Sequence, residues 1–160
     1  MKGVIIIMLA VLSNQSWAQT TYDNVKLETA ADCKAADPIA LEASTYLLST
    51  PFKKDNTTRL KSLSFIIKWM SATPDYTFAL DEVASEMMKG NDDLLGLYMA
   101  AMTKYCLENK ASSKDQKLVK LNALTYVLNY CEDENNNLKM TKQLKKLSDA
   151  KAKGELESSL

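Results

Sequence analysis

One stretch, Asp92–Asn109 (DDLLGLYMAAMTKYCLEN), constrains this chain more than any other. Between Leu94 and Leu107 only Gly96, Thr103 and Lys104 are not apolar. A helix that is apolar on nearly every side has to be enclosed by other elements. It is shorter than the run of about 20 apolar residues that crosses a bilayer. The stretch therefore reads as the central, buried helix of a small helical domain.

Composition points the same way. The 160 residues include only 4 Gly and 3 Pro. Sheets need many special turns, so this scarcity favours helices joined by short loops. The expected fold is all-α: a single domain of about six helices in antiparallel hairpins, a bundle or a short helical stack, around residues 92–109. The chain has no His, and so lacks the usual base near neutral pH and the commonest metal ligand.

The first residues read as a leader. Lys2 precedes the apolar run Val4–Leu12, and Ser16-Trp17-Ala18 fits a small-x-small cleavage site. Residues 1–18 are expected to be a signal peptide cut after Ala18, which sends the mature protein to the periplasm or outside the cell. The cut removes Lys2 and no other charged residue, so the net charge goes from 0 to −1. A nearly neutral chain has no global electrostatic footprint for nucleic acid. No transmembrane segment is expected once the leader is gone.

Residues 19–36 are polar and aperiodic and are expected to be loosely ordered. The helical domain is expected over 37–153, with 154–160 frayed. Asp37-Pro38 predicts a capped helix start, with Ile39, Ala43, Tyr46 and Leu47 inward and Pro51 as its stop. Leu60, Leu63, Ile67 and Met70 recur at 3, 4, 3 spacing and predict the buried face of a second helix over about 58–70. The third helix is expected to begin between Pro74 and Phe78 and end before Gly90, burying Leu80, Val83, Ala84, Met87 and Met88. A fifth over about 115–131 turns Leu118, Leu121, Leu124, Val127, Leu128 and Cys131 inward. A last helix, about 137–153, carries Met140, Leu144 and Leu147 and is stopped by Gly154.

The most distinctive surface candidate is the corner Lys68–Phe78, KWMSATPDYTF. Trp69, Pro74, Asp75, Tyr76 and Phe78 could form a binding pocket, since aromatic groups beside a proline turn suit peptides and small ligands. The competing account is favoured: Trp69 and Phe78 staple two helices together and Asp75 caps the third. Together with DDLLGLYMAAMTKY, this corner resembles uncharacterised exported all-helical proteins of Gram-negative bacteria. The resemblance covers about a quarter of the chain and implies no activity.

Other candidates read as structural. Asp75, Asp81, Glu82, Glu86, Asp92 and Asp93 could hold a carboxylate pair for hydrolysis, but their positions at helix starts suit the helix dipole. Asp133–Leu138 begins like a calcium loop but has Leu138 where Gly is needed. Cys33, Cys106 and Cys131 have no metal-site spacing, and an odd count leaves one thiol without an internal partner. Whether any pair forms a disulfide is open, with buried thiols the leading account. The basic last helix is expected to pack beside the acidic third one.

The expected function is therefore a non-catalytic binding or structural role in the cell envelope, with no cofactor and no metal. The partner is a protein or small molecule of unknown identity. Two alternatives are carried: a small carboxylate-dependent hydrolase, and an apolar-ligand carrier whose pocket is lined by Met87, Met88, Met99 and Met102.

Overall fold

Side-chain caps set most of the helix starts. The computed structural model describes residues 22–80, 82–89 and 91–159. The expected leader, Asp81 and Gly90 lie outside these. Seven α-helices are described, with no strand among the described residues. They are α1 (Ala30–Ala35), α2 (Asp37–Ser49), α3 (Thr57–Ala72), α4 (Glu82–Met88), α5 (Asp93–Glu108), α6 (Gln116–Glu132) and α7 (Lys142–Ala152). Thr29 and Asp32 close a capping box on α1. Asn56 Oδ1 accepts from Arg59 N at the start of α3. Asp115 Oδ1 accepts from Lys117 N and Leu118 N on α6, and Thr141 Oγ1 from Leu144 N on α7. Asn91 Oδ1 serves Asp93 N at the start of α5. Gly154 ends α7 at φ +73°, a conformation that favours glycine.

The expectation for the centre holds. Ten of the sixteen residues of α5 are buried, with α2, α3, α4 and α6 packed around it. Ala36, Ala40 and Ala43 let α2 approach closely, against Ala100 and Leu107. On the other side α5 meets Val119, Ala123, Leu124, Val127 and Leu128 of α6. Met87 and Met102 are buried in the core, Met88 and Met99 are half-buried at its edge, and the clefts that Met102 and Met99 reach are different ones. The four methionines do not line one pocket.

Several expectations need correction. The segment expected to be loose holds α1, whose Cys33 is buried. Tyr22 stacks on Phe65 at 4.8 Å and shares a 2.9 Å hydrogen bond with Ser62. The expected frayed end is held by Leu156, buried in the core, and by a 2.8 Å ion pair between Glu157 and Lys117. Asp37 does not cap α2. Its helix follows α1 after Ala36 alone, so Ala40 N already bonds Ala36 O. The Asp37 side chain is buried instead, 3.3 Å from Lys110 Nζ.

The third expected helix begins later, at Glu82. Residues 73–80 stay non-helical because tertiary contacts hold them. Tyr76 and Phe78 pack on Trp69, and Gln116 Nε2 donates to Thr77 O at 3.2 Å. Asp75 therefore caps no helix. In α6, Leu118 is exposed and Leu121 half-buried, while Val119 and Ala123 turn inward.

The last helix begins at Lys142, five residues later than expected, because Leu138 turns into the core and Asn137 takes left-handed angles. It does dock beside α4, as well as on α6. Leu144 and Leu147 enter the same core cluster as Ala84 and Met87. Burial of each leucine is worth about 1.5–3 kcal/mol. The Lys151–Glu132 ion pair, 2.6 Å and partly exposed, reaches α6 and is worth about 0–1 kcal/mol. Apolar contact therefore decides the docking.

Candidate functional site

The helix α3 lies in a different rotation from the one its apolar spacing predicts. Its buried face is Arg59, Ser62, Phe65, Ile66 and Trp69. Leu60 and Ile67, expected inside, are 56% and 41% exposed, and Leu63 and Met70 are half-buried. Two features set the rotation. Trp69 is wholly buried and its Nε1 donates to Cys33 O at 3.1 Å. Arg59 Nη1 donates to Leu47 O, Thr50 O and Thr50 Oγ1, each at 3.0 Å. The guanidinium thus satisfies carbonyls at the C-terminal end of α2 and lies over the rings of Phe52 and Tyr130, at 5.3 and 6.0 Å. Tyr130 Oη adds a 2.7 Å bond to Thr50 O.

This rotation leaves an apolar furrow between α3 and α5. At one end a cleft of about 240 Å³ has Phe52, Leu60, Leu63 and Leu97 as its floor, with Lys53, Lys54, Asp92 and Asp93 at its rim. At the other end a shallower cleft of about 340 Å³ lies between Ile67, Met70, Tyr76, Phe78, Leu80 and Met99. Between them the helices pinch together. A Cβ on Gly96 would lie 2.7 Å from Leu63 Cδ2. Leu60 to Met70 spans ten residues of helix, about 15 Å.

The corner proposed from sequence is divided by this geometry. Trp69 belongs to the core. Tyr76 and Phe78 lie 5.6 and 6.0 Å from it, ring centre to ring centre, and cover it. Their other sides line the shallower cleft, and burial pushes the Tyr76 hydroxyl up to about 12. Pro74 and Asp75 are exposed and do not line that cleft.

The carboxylates disperse. Glu86 pairs with Lys89, Glu82 is exposed, and Asp92 and Asp93 stand next to each other at the start of α5. Among the described residues no group of His, Cys, Asp and Glu could hold a metal ion. The Asp133–Leu138 segment is a short 3-10 turn with Asp133 Oδ1 accepting from Asn135 N. The three thiols are free and buried. Burial raises Cys106 to about 11, and burial with the Glu132 charge raises Cys131 to about 12. Groups held so far into the neutral form are poor nucleophiles.

Arg59 is what sequence reading missed. It is the one arginine among twenty basic residues. That rarity was the available signal, since a guanidinium keeps several donors in a fixed fork where a lysine offers a point charge. The furrow can do noncovalent chemistry: an apolar floor for aliphatic groups and charged rims that sort partners. No described helix is long and apolar enough to cross a membrane. Compared with protein families, with curated proteins and with solved structures, the chain matches none.

Proposed function

We propose that this is an exported, non-catalytic binding protein of the cell envelope whose working surface is the furrow between α3 and α5. One observation carries the reading: of the 3, 4, 3 apolar spacing, Leu60 and Ile67 stand at the surface with Leu63 and Met70 half-buried beside them, while Phe65, Ile66 and Trp69 fill the inward face. Exposed apolar residues grouped on one face favour a partner surface over chance, because single scattered ones are the norm. Export is supported by the Val4–Leu12 run and Ser16-Trp17-Ala18.

The test has two parts. Expressed in full, the protein should be recovered from the periplasm or medium with Gln19 at its N-terminus; exported material that keeps Met1 refutes the leader. Envelope extract is then passed over the immobilised protein and over its Leu60→Ser/Ile67→Ser double variant. A partner retained by the first and lost by the second supports the furrow. Identical retention by both removes it.

A further inference from the structure

We propose that the deeper end of the furrow is a site for a small linear zwitterion: an aliphatic stretch with an ammonium group at one end and a carboxylate at the other. This rests on the reading of the furrow as a binding surface and adds the chemistry of one occupant. The contact between Gly96 and Leu63 closes this cleft toward the rest of the furrow, since a Cβ on Gly96 would lie 2.7 Å from Leu63 Cδ2. The occupant is therefore short. A volume of about 240 Å³ lies just below the ~300–1,000 Å³ of drug-sized pockets and suits a molecule of amino-acid size.

Both signs of charge surround the apolar floor. Lys53 and Lys54 come from the loop before α3, and Asp92 and Asp93 from the start of α5, so the two signs stand on different walls. Among the described residues none of the four is in an ion pair. Local bonds fix both walls. Phe52 N donates to Asn136 O at 2.8 Å and Asn56 N to Lys53 O at 3.2 Å. Asp92 takes the cap position of α5, yet its side chain makes no cap hydrogen bond, because Asn91 Oδ1 serves Asp93 N instead. The Asp92 carboxylate stays at the rim.

Arg59 also lines the cleft, at 6% exposure. All three of its hydrogen bonds leave from Nη1 and go to uncharged oxygens. Among the described residues this buried guanidinium has no carboxylate partner. A buried charge without a counter-ion is costly, and a carboxylate is the group that a guanidinium fork matches. The ligand's carboxylate then meets Arg59, Lys53 and Lys54, and its ammonium meets Asp92 and Asp93. Its methylene groups lie on Phe52, Leu60, Leu63 and Leu97. A purely anionic ligand is set against the two aspartates, and a purely cationic one against the three cations. A partner helix would have to cross the Gly96–Leu63 contact.

Four probes with one six-carbon body test this. They are 6-aminohexanoate, its isomer norleucine with both charges at one end, hexanoate and hexylammonium. NMR shifts of the purified protein read binding and locate it. 6-Aminohexanoate should bind, with shifts at residues 52–54, 59–63 and 92–97, and added salt should weaken it. Hexanoate and hexylammonium each lack one charged contact and should bind about tenfold more weakly or worse. Norleucine should also bind more weakly. Asp92→Asn/Asp93→Asn should cost 6-aminohexanoate about tenfold and remove its advantage over hexanoate. Lys53→Gln/Lys54→Gln should narrow its advantage over hexylammonium. Arg59→Lys should weaken it further, with the thermal unfolding midpoint measured alongside. The aspartate and lysine variants decide the matter whatever Arg59→Lys does to the fold. Singly charged probes that bind as well as 6-aminohexanoate, or a preference for norleucine, overturn the proposal. So do shifts outside this cleft, affinity unchanged by both rim variants, or no binding of 6-aminohexanoate at about 10 mM, well above a millimolar Kd. If Leu60→Ser/Ile67→Ser loses an envelope partner while no probe binds, the zwitterion falls and the furrow stands.

Discussion

The helices α3 and α5 each have 16 residues and each is rich in apolar side chains, yet they are used in opposite ways. In α5 the apolar groups wrap the axis, so every rotation buries something, and the helix sits at the centre. In α3 the stripe at 3, 4, 3 spacing turns toward the furrow, with Leu60 and Ile67 exposed and Leu63 and Met70 half-buried, while a second apolar set turns inward. The face of α3 that turns in carries a guanidinium, a hydroxyl, two aromatic rings and the side chain of Ile66. The difference teaches that a stripe identifies a helix but does not say which side the rest of the molecule will cover. Where large aromatics and a fork of donors compete with leucines for the interior, the group with the most area and the most hydrogen bonds sets the rotation.

Matched substitutions on the two helices test this contrast most strongly. Met102→Ala removes a side chain with 1% exposure and should cost about 2–5 kcal/mol. Leu60→Ala, at 56% exposure, should fall within about 0.5 kcal/mol. Leu95 and Met99, half-buried, should lie between. Chemical denaturation of the four variants gives the order, and equal losses at 60 and 102 would erase the distinction.

The inward polar anchor comes next. Arg59→Met keeps the bulk of the side chain but takes the guanidinium donor from Leu47 O and leaves Thr50 O with Tyr130 alone. It should cost about 1–3 kcal/mol. Arg59→Lys should recover part of this, since one ammonium cannot reproduce the fork. A fully stable Arg59→Met protein would mean that Trp69, not Arg59, sets the rotation of α3.

A smaller effect is expected where the two helices touch. Gly96→Ala places a methyl group against Leu63 Cδ2, the flexible end of a half-buried side chain. The helix-propensity gain of up to about 1 kcal/mol is then offset by displacement of Leu63. Net stability should move by less than about 1 kcal/mol, while the pinch between the two clefts changes shape. Retention of an envelope partner that shifts while the unfolding midpoint does not would place the furrow, and not the fold, at this contact.

The smallest effect lies away from both helices and serves as their control. Glu132 on α6 is partly desolvated, which by itself raises its pKa. Hydrogen bonds from Lys151 and Ser148 outweigh that and hold it below the usual carboxylate range. A carboxyl group with a lowered folded pKa contributes its stability above the unfolded pKa and loses it as pH falls through the folded one. Acidification through the carboxylate range should therefore slightly loosen α7. Glu132→Gln should flatten that part of the pH–stability curve without altering the contrast between α3 and α5.

Much of the fold was legible because its signals were redundant. The nearly all-apolar α5 could only be central, and Gly154 and the residues around Asp92 marked helix ends by local chemistry that tertiary contacts did not need to override. The errors arose where distant contacts decided a local matter. Residues 73–80 are held out of a helix by Trp69 and Gln116, and Asp37 is drawn into the interior beside Lys110, 73 positions away. The proposed corner was legible as aromatic but not as half core and half surface. The furrow was hidden in plain view, because the residues that line it had been assigned to the interior on their spacing alone.

The end of α2 has a consequence for the order in which the chain can become ordered. Thr50 O accepts from Tyr130, 80 positions downstream, and Phe52 N donates to Asn136 O at 2.8 Å. The junction that orients α3 therefore cannot close on a nascent chain until residues near 136 are available. Such long-range closure slows folding, because chain entropy is lost before the contacts form. The cluster around Leu47, Phe65 and Trp69, whose buried members all lie between Ala36 and Leu107, can gather earlier. The end of α2, and with it the seat of the Arg59 guanidinium beside Tyr130, is completed only when the last third of the chain arrives.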